Sequence, residues 1–213
     1  MPTTEIILVR HGETAWNVEE RLQGQMDSPL TPLGLAQTQA VANRLQHETF
    51  TTLYSSDLVR TQQMARAIAA LTNHAIVLDQ RLREKHFGIV QGMLGDEVQA
   101  AYPEISRDYR AGSPDYVVPG GESTHHLLAR SLAFVNQIAD RQPGEKIVAV
   151  THGGLISALV RHILGVPLEQ PRRFEVDNAS VHMIFADSTG WRVALLGDVQ
   201  HLRHLPTLDY ANR

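Results

Sequence analysis

Two short aliphatic runs, each ending at a histidine followed by glycine, constrain the fold of this chain more than any other feature. The first run, Ile6–Val9, leads into Arg10 and His11, and the second, Ile147–Val150, leads one residue later into His152. Continuous apolar runs of this length are typical of strands buried on both faces of a parallel sheet. The carboxyl ends of parallel strands lie along one edge, where open α/β sheets bind ligands. We therefore expect both histidines to face one crevice.

Apolar runs alternate with helical patterns along most of the 213 residues, which predicts an α/β layer fold. Further strands are predicted at residues 52–54, 75–78, 181–186 and 192–196. Helices are predicted at residues 31–46, 58–71 and 123–140, with a fourth that begins at 153 and ends at 165. The length and the lack of a visible linker predict a single domain over residues 1–213.

Residues at about 88–121 break this pattern with glycines, prolines and mixed polar residues. They predict an excursion over one face of the sheet, and excursions of this kind often shape a substrate pocket.

Composition excludes several classes of function. The net charge of −4 provides no basic footprint for nucleic acid, although a few cations in a cleft can still attract a small anion. The chain contains no cysteine, which excludes disulfides, thiolate nucleophiles and cysteine-based zinc sites. No apolar stretch approaches the ~20 residues of a membrane span. We expect a cytoplasmic protein that is a monomer or homodimer and binds neither nucleic acid nor membranes.

Arg60 lies where a predicted strand ends and a helix begins, in the segment YSSDLVRT, and a serine or aspartate there is expected to cap the helix. An arginine is usually found late in a helix, where its charge complements the dipole. Its early position indicates that Arg60 turns inward to meet an anion.

The start of the fourth predicted helix carries a second signal for an anion. The backbone N–H of Gly153 and the positive end of the helix dipole favour negative charge there. Together with this helix, Arg10, Arg60, His11 and His152 would form a compact positive site whose guanidinium groups suit the oxygens of a phosphate.

Six segments in chain order add a family resemblance to this reading. They are LVRHGETAWN, RLQGQMDSPLTPLG, YSSDLVRT, LREKHFG, PGGES and VTHGG. Over nearly the whole chain they resemble the histidine phosphatase (phosphoglycerate mutase-like) superfamily. The resemblance implies a three-layer α/β/α fold with a mixed, mostly parallel central sheet.

The resemblance also implies roles for individual residues. His11 would be the nucleophile that forms a phosphohistidine, and Arg10, Arg60 and His152 would complete the phosphate pocket. Glu84 would be the proton donor to the leaving oxygen. The positions that match further residues lining the same site are Asn17, Gln23 and Gly24.

This chemistry needs no metal and no cofactor, and no spacing in the sequence suggests metal ligands. A neutral imidazole nitrogen can attack phosphorus in line when the other ring nitrogen carries the proton and is held by an acceptor. Prepositioned donors then stabilise charge on the equatorial oxygens. The expected ligand is a small-molecule phosphate ester.

Three functions remain open: a phosphatase, a cofactor-dependent phosphoglycerate mutase and a non-catalytic phospho-ligand binder. Mutases favour arginine and tyrosine where this chain has Lys85 and Phe87, and residues 88–121 contain no adjacent arginine pair. A less charged, partly apolar pocket is therefore expected, which favours the phosphatase. The residues expected to line it are Val90, Met93, Leu94, Tyr102, Tyr116, Val117 and Val118.

Overall fold

Six strands form one mixed sheet in the computed structural model, which describes residues 2–205. The strands are β1 (Thr4–Arg10), β2 (Thr52–Ser55), β3 (Ile76–Leu78), β4 (Lys146–Thr151), β5 (Val181–Asp187) and β6 (Gly190–Asp198). Their spatial order is β3-β2-β4-β1-β5-β6. The first four in this order are parallel, β5 is antiparallel to β1, and β6 is antiparallel to β5. The predicted mixed, mostly parallel sheet is confirmed; the ends of the predicted domain, 1 and 206–213, lie outside the described residues.

Seven α-helices accompany the sheet in the described part of the chain. They are α1 (Ala15–Val18), α2 (Pro32–Leu45), α3 (Val59–Thr72), α4 (Gly95–Ala101), α5 (Pro103–Arg110), α6 (Thr124–Arg141) and α7 (Gly153–Ile163). The four predicted helices correspond to α2, α3, α6 and α7. None of the helices in residues 2–205 is both long and apolar enough to cross a membrane.

The side chains of β1 alternate between two hydrophobic clusters on opposite faces of the sheet. Ile6 and Leu8 pack with residues of α6 and α7, whereas Ile7 and Val9 pack with residues of α2 and α3. All four are buried, and burying an aliphatic side chain of this size contributes roughly 1.5–3 kcal/mol. This double burial explains the uninterrupted aliphatic run and makes the fold a three-layer α/β/α structure.

The pairing of β1 with β4 brings the two histidines to one edge. Arg10 lies opposite Thr151 in the parallel register, so His11 and His152 follow at equivalent positions. The backbone N–H of His11 donates to the Thr151 carbonyl at 3.1 Å. Both histidines therefore lie side by side at one edge of the sheet, as the parallel pairing predicts.

The segment between Gly88 and Gly121 contains α4 and α5, which pack on a small cluster of Val90, Val98 and Val118. The two ends of the segment lie close together, because the Ile89 N–H donates to the Pro119 carbonyl at 3.0 Å. Gly88 has φ +57, and a Cβ there would lie 2.1 Å from that carbonyl oxygen. Only glycine fits this left-handed close approach.

Candidate active site

His11 is buried at the carboxyl end of β1, and two hydrogen bonds define its tautomer. Its Nδ1 lies 2.7 Å from the carbonyl oxygen of Gly12, which only accepts, so Nδ1 carries the proton. Its Nε2 accepts a hydrogen bond from Nε of Arg60 at 3.3 Å. The lone pair therefore resides on Nε2, the nitrogen that faces the arginine.

The surroundings of His11 keep its imidazole neutral. Burial, followed by the positive charges of Arg60 and Arg10, lowers the pKa of His11 well below its usual value, and the bond to the Gly12 carbonyl opposes this only in part. A neutral ring retains its Nε2 lone pair at neutral pH and can act as a nucleophile.

Arg60 points inward from the first turn of α3, as predicted, and is only 1% exposed. Its Nη2 donates to the carbonyl of Gly24 at 2.7 Å and its Nη1 to the carbonyl of Met26 at 2.9 Å. Nη1 also contacts Asp27 Oδ1 at 3.3 Å. Two backbone carbonyls and one carboxylate thus hold the guanidinium against His11.

The expectation that a serine or aspartate of YSSD caps α3 is wrong. Leu58 occupies the N-cap position and makes no side-chain capping bond, whereas Asp27 Oδ1 accepts from the Val59 N–H at 3.0 Å. Asp57 instead binds Arg83 through both carboxylate oxygens, at 2.6 and 2.5 Å. A carboxylate distant in sequence therefore caps the helix that carries Arg60.

His152 lies beside His11, with ring centroids 5.2 Å apart. Its Nε2 lies 2.9 Å from Ser56 Oγ, and that oxygen accepts from the Leu58 N–H at 3.4 Å. The serine hydroxyl keeps its own proton for donation to Nε2, and in that arrangement the ring proton of His152 lies on Nδ1. Nδ1 is buried and has no partner among the described residues. Burial, aided by the charge of Arg60, lowers the pKa of His152 well below its usual value.

Arg10 enters the site beside the start of α7. Its Nη1 donates to the Val176 carbonyl at 2.5 Å, while its Nε is buried without a partner in residues 2–205. Burial lowers the pKa of Arg10 to about 10, so the group stays positive at neutral pH. A Cβ on Gly153 would lie 3.2 Å from that Nε, so glycine leaves room for the guanidinium.

The carboxylate of Glu84 lies at the N-terminus of α7 and binds a backbone N–H there. Its Oε2 accepts from the Gly154 N–H at 2.9 Å, and its Oε1 accepts from the Lys85 N–H at 2.8 Å. The anion predicted at the start of this helix is thus, in this structure, the carboxylate of Glu84. Its negative charge acts on both Arg10 and Arg60, which places it within electrostatic reach of the phosphate-binding groups.

The remaining predicted residues surround this centre. Asn17 Oδ1 accepts from the side-chain amide of Asn178 at 3.1 Å, and the same amide donates to the His11 carbonyl at 3.2 Å. Gln23 Oε1 accepts from Thr14 Oγ1 at 3.2 Å, and its Nε2 is buried without a described partner. Asn17 therefore contacts Asn178, the residue whose amide binds the His11 carbonyl. The side-chain amide nitrogen of Gln23 keeps its N–H donors free among the described residues.

Sequence reasoning missed several supports of the site. Ser56 was considered only as one of the candidate helix caps in YSSD, whereas in the structure it contacts His152. Residues 176–180 showed no pattern at all, yet the Ala179 N–H donates to the His11 carbonyl at 3.0 Å and the Arg10 N–H donates to Ser180 at 3.1 Å. Ala179 has φ +60, a strained backbone conformation for alanine.

A cavity of about 360 Å³ opens beside Glu84. None of the residues predicted to line the pocket lies in its wall. Val90 and Val118 pack with Val98 and line a separate cavity of about 170 Å³, whereas Tyr116 lines a further cavity that shares Lys85 with this one. The cavity wall combines aromatic rings, hydroxyl groups and cations. Among its residues are Lys85, Phe87, Tyr109, Thr124, Arg161 and Arg172.

Within residues 2–205, no group of three or more histidine, aspartate or glutamate side chains is arranged to hold a metal ion.

Comparisons with known proteins give consistent matches. The profile of the histidine phosphatase superfamily (branch 1) matches residues 6–199. A Cronobacter sakazakii protein named "Probable phosphoglycerate mutase GpmB" is 38% identical, covering 98% of this chain and 99% of its own length. The structure of Bacillus stearothermophilus YhfR is similar with a TM-score of 0.84 and 34% identity, covering 93% of this chain and 99% of that one. A mycobacterial glucosyl-3-phosphoglycerate phosphatase has a TM-score of 0.80 and 31% identity, with coverage of 91% and 98%.

Proposed function

The chain belongs to branch 1 of the histidine phosphatase superfamily, and we propose that it is a metal-independent phosphomonoesterase that acts through a phosphohistidine on a small-molecule phosphate ester. The observation that carries the proposal is the tautomer of His11. Its Nδ1–H donates to a carbonyl at 2.7 Å and its Nε2 lone pair points at Arg60. A buried nucleophilic nitrogen surrounded by cationic donors suits in-line attack on phosphorus.

In the first half of the reaction, the Nε2 lone pair of His11 attacks phosphorus and the bond to the ester oxygen breaks. Arg10, Arg60 and the Nδ1–H of His152 stabilise the charge on the equatorial oxygens. The leaving oxygen takes a proton from Glu84, which enters this step as the carboxylic acid and leaves it as the carboxylate. The phosphorylated imidazole is positive, and the Gly12 carbonyl stabilises it by accepting the Nδ1–H.

In the second half, water attacks the phosphorus and transfers its proton to the Glu84 carboxylate. The nitrogen–phosphorus bond breaks, which releases phosphate and restores neutral His11. Glu84 thus acts first as general acid and then as general base, and the N–H of Gly154 keeps its carboxylate in place for both steps.

A phosphoglycerate mutase is the second candidate. It is favoured by the names of relatives such as the Cronobacter sakazakii protein, whereas the mycobacterial structure at 31% identity is named as a phosphatase. Both reactions use the same phosphohistidine and differ in whether water or a second hydroxyl accepts the phosphoryl group. We favour water because Lys85 and Phe87 stand where mutases have arginine and tyrosine.

We further propose that residues 1–213 act as one domain in the cytoplasm. Strands from both halves of the chain share one sheet, and the lack of cysteine suits a reducing compartment.

The test is phosphate release in EDTA from p-nitrophenyl phosphate, 3-phosphoglycerate and α-ribazole phosphate, with isomerisation of phosphoglycerate followed in parallel. Wild type is compared with His11→Ala. Release that requires His11, without isomerisation, supports the phosphatase. Isomerisation stimulated by a bisphosphate identifies a mutase. Phosphate binding without turnover of any ester would support the third function, a non-catalytic phospho-ligand binder.

A further inference from the structure

A turn at residues 177–180 holds the backbone of both the nucleophile and one of the phosphate-binding arginines. The Ala179 N–H donates to the His11 carbonyl at 3.0 Å. The Ser180 carbonyl accepts the Arg10 N–H at 3.1 Å. A shift of this turn would therefore displace the two groups of the candidate site together.

The turn has a backbone conformation that its sequence does not favour. The Ser180 N–H donates to the Asp177 carbonyl at 3.0 Å, which places Ala179 third in a four-residue turn. Ala179 has φ +60, and a turn with a positive φ at this position usually has glycine there. Such a conformation persists only where the surrounding structure fixes it. Contacts from outside the turn are therefore needed to hold it.

His182 supplies the first of these contacts. It is buried, and its Nδ1 accepts from the Gly197 N–H at 3.0 Å. A backbone N–H only donates, so the ring proton lies on Nε2, which donates to Ser180 Oγ at 2.8 Å. Ser180 Oγ in turn donates to the Asp177 carbonyl at 2.6 Å. Every hydrogen bond in this series donates in one direction, from β6 to the turn.

His201 supplies the second contact, from the segment that follows β6. Its Nδ1 accepts from Arg44 Nη1 at 3.1 Å, because a guanidinium only donates. The ring proton therefore lies on Nε2, which donates to the Ala179 carbonyl at 3.0 Å. Arg44 also binds Asp198 at 2.8 Å. The strained Ala179 is thus held through its carbonyl by His201 and through its N–H by the His11 carbonyl.

Both rings must be neutral to make these contacts, and their surroundings keep them so. Burial, followed by the positive charge of Arg10, lowers the pKa of His182 to about 4. Burial, followed by the positive charge of Arg44, lowers the pKa of His201 to about 4. A second proton on either ring would face a donor, the Gly197 N–H in one case and Arg44 in the other. At neutral pH each histidine therefore keeps the tautomer that donates to the turn.

We propose, resting on the phosphatase function, that His182 and His201 are positioning residues for the reaction. They act through the turn at residues 177–180, which aligns His11 and Arg10. Neither ring lines the cavity of about 360 Å³, so their effect on the rate is indirect. Because a misplacement of about 1 Å can cost about 10²-fold in rate, a turn that is free to shift would slow phosphoryl transfer.

Leucine and glutamine substitutions separate the hydrogen bond from the space that each ring fills. Leucine removes the donor, whereas the amide of glutamine keeps an N–H donor at the end of the side chain. The assay is hydrolysis of p-nitrophenyl phosphate, with kcat expressed per folded enzyme. We expect His182→Leu and His201→Leu to lower kcat at least tenfold with KM within threefold of wild type. His182→Gln and His201→Gln should keep kcat within threefold of wild type, which a role in folding alone would not explain.

Ser180→Ala tests the same contact without changing a histidine, and it decides the role of His182 if His182→Leu does not fold. It removes the hydroxyl that joins His182 to the Asp177 carbonyl and should also lower kcat at least tenfold. The matched control is His74→Leu. His74 Nε2 lies 2.9 Å from the Phe50 carbonyl, and both residues precede strands at the edge opposite the candidate site. This control should keep kcat within threefold of wild type.

Unchanged kcat in Ser180→Ala or His201→Leu, with hydrolysis intact, would overturn the positioning role and leave the phosphatase function standing. Glutamine variants as slow as the leucine variants would overturn it as well. If wild type hydrolyses no ester, the phosphatase function fails, and calorimetric Kd values for orthovanadate, which adopts the trigonal bipyramidal geometry of phosphoryl transfer, decide the inference. A Kd at least tenfold higher in the leucine variants and restored by glutamine would support it, and equal Kd values would overturn it.

Discussion

Arg60→Lys isolates the contribution of the guanidinium shape, because lysine keeps the positive charge and loses the planar set of donors. In wild type the guanidinium reaches the carbonyls of Gly24 and Met26, Asp27, and Nε2 of His11. A single ammonium nitrogen cannot span these positions at once. The substitution therefore removes a prepositioned donor from the site and loosens the alignment of the nucleophile.

The effect on activity is separated from the effect on folding by measuring both. Removing one prepositioned donor to developing charge lowers kcat by about 10²–10³, so we expect kcat/KM to fall to that extent. Each charged hydrogen bond that lysine does not replace costs about 1.5–3 kcal/mol of stability. Domains usually have ~5–15 kcal/mol of unfolding free energy, so kcat/KM is expressed per folded enzyme.

The assay is kcat/KM on p-nitrophenyl phosphate, with the free energy of unfolding measured by urea denaturation on the same samples. Arg66→Lys is the matched control, since Arg66 lies on the exposed face of the same helix and should lose less than threefold. An Arg60→Lys enzyme within threefold of wild type would refute the assignment of Arg60 to the phosphate pocket.

Three further predictions concern Glu84, Gly154 and His182. Glu84→Gln should slow alkyl phosphates at least tenfold more than p-nitrophenyl phosphate, whose leaving group needs little protonation; equal losses would remove Glu84 from its role. Gly154→Ala should reproduce that pattern, since its Cβ would lie 2.2 Å from Glu84 Oε1, whereas Gly95→Ala has nothing within 4 Å and should be neutral in the same assay. Burial lowers the pKa of His182 to about 4, so below pH 6.5 the unfolded chain binds a proton that the native state does not. The contribution of His182 to the unfolding free energy should then fall by up to roughly 1.4 kcal/mol per pH unit as the pH is lowered from about 6.5 to 4. Urea titrations at several pH values should show a shallower dependence of unfolding free energy on pH in His182→Gln than in wild type. The same dependence in both proteins would mean that His182 titrates normally.

The central strands and long helices were predictable because their signals are local. β1 is buried on both faces, so its aliphatic run appears directly in the sequence. The start of α2 was predicted from Thr31 and Pro32, and Thr31 Oγ1 indeed accepts from the Gly34 N–H at 3.0 Å. The missed helices α1, α4 and α5 have four, seven and eight residues, too few turns to establish a helical period.

In the proposed site, too, the residues with a local sequence signal were predictable and the others were not. His11 and His152 come directly after buried strands, and parallel pairing brings such positions together whatever the intervening sequence. The groups that hold them could not be found this way. Asp27 lies 32 residues from the Val59 N–H that it caps, and Asn178 lies 167 residues from the His11 carbonyl. Contacts at these separations are decided by tertiary packing and leave no local pattern.

The cavity shows why the composition of a segment is a poor guide to the pocket it shapes. Residues 88–121 are partly apolar, which is why a less charged, partly apolar pocket was expected to be lined by them. Their aliphatic side chains instead stabilise the excursion itself, since Val90, Val98 and Val118 need a core of their own. Only Tyr109 from this excursion lines the cavity beside Glu84, and the rest of the wall comes from other segments. The aliphatic side chains that stabilise the excursion are therefore not available to the cavity, and the charged and polar groups of its wall come almost entirely from segments outside residues 88–121.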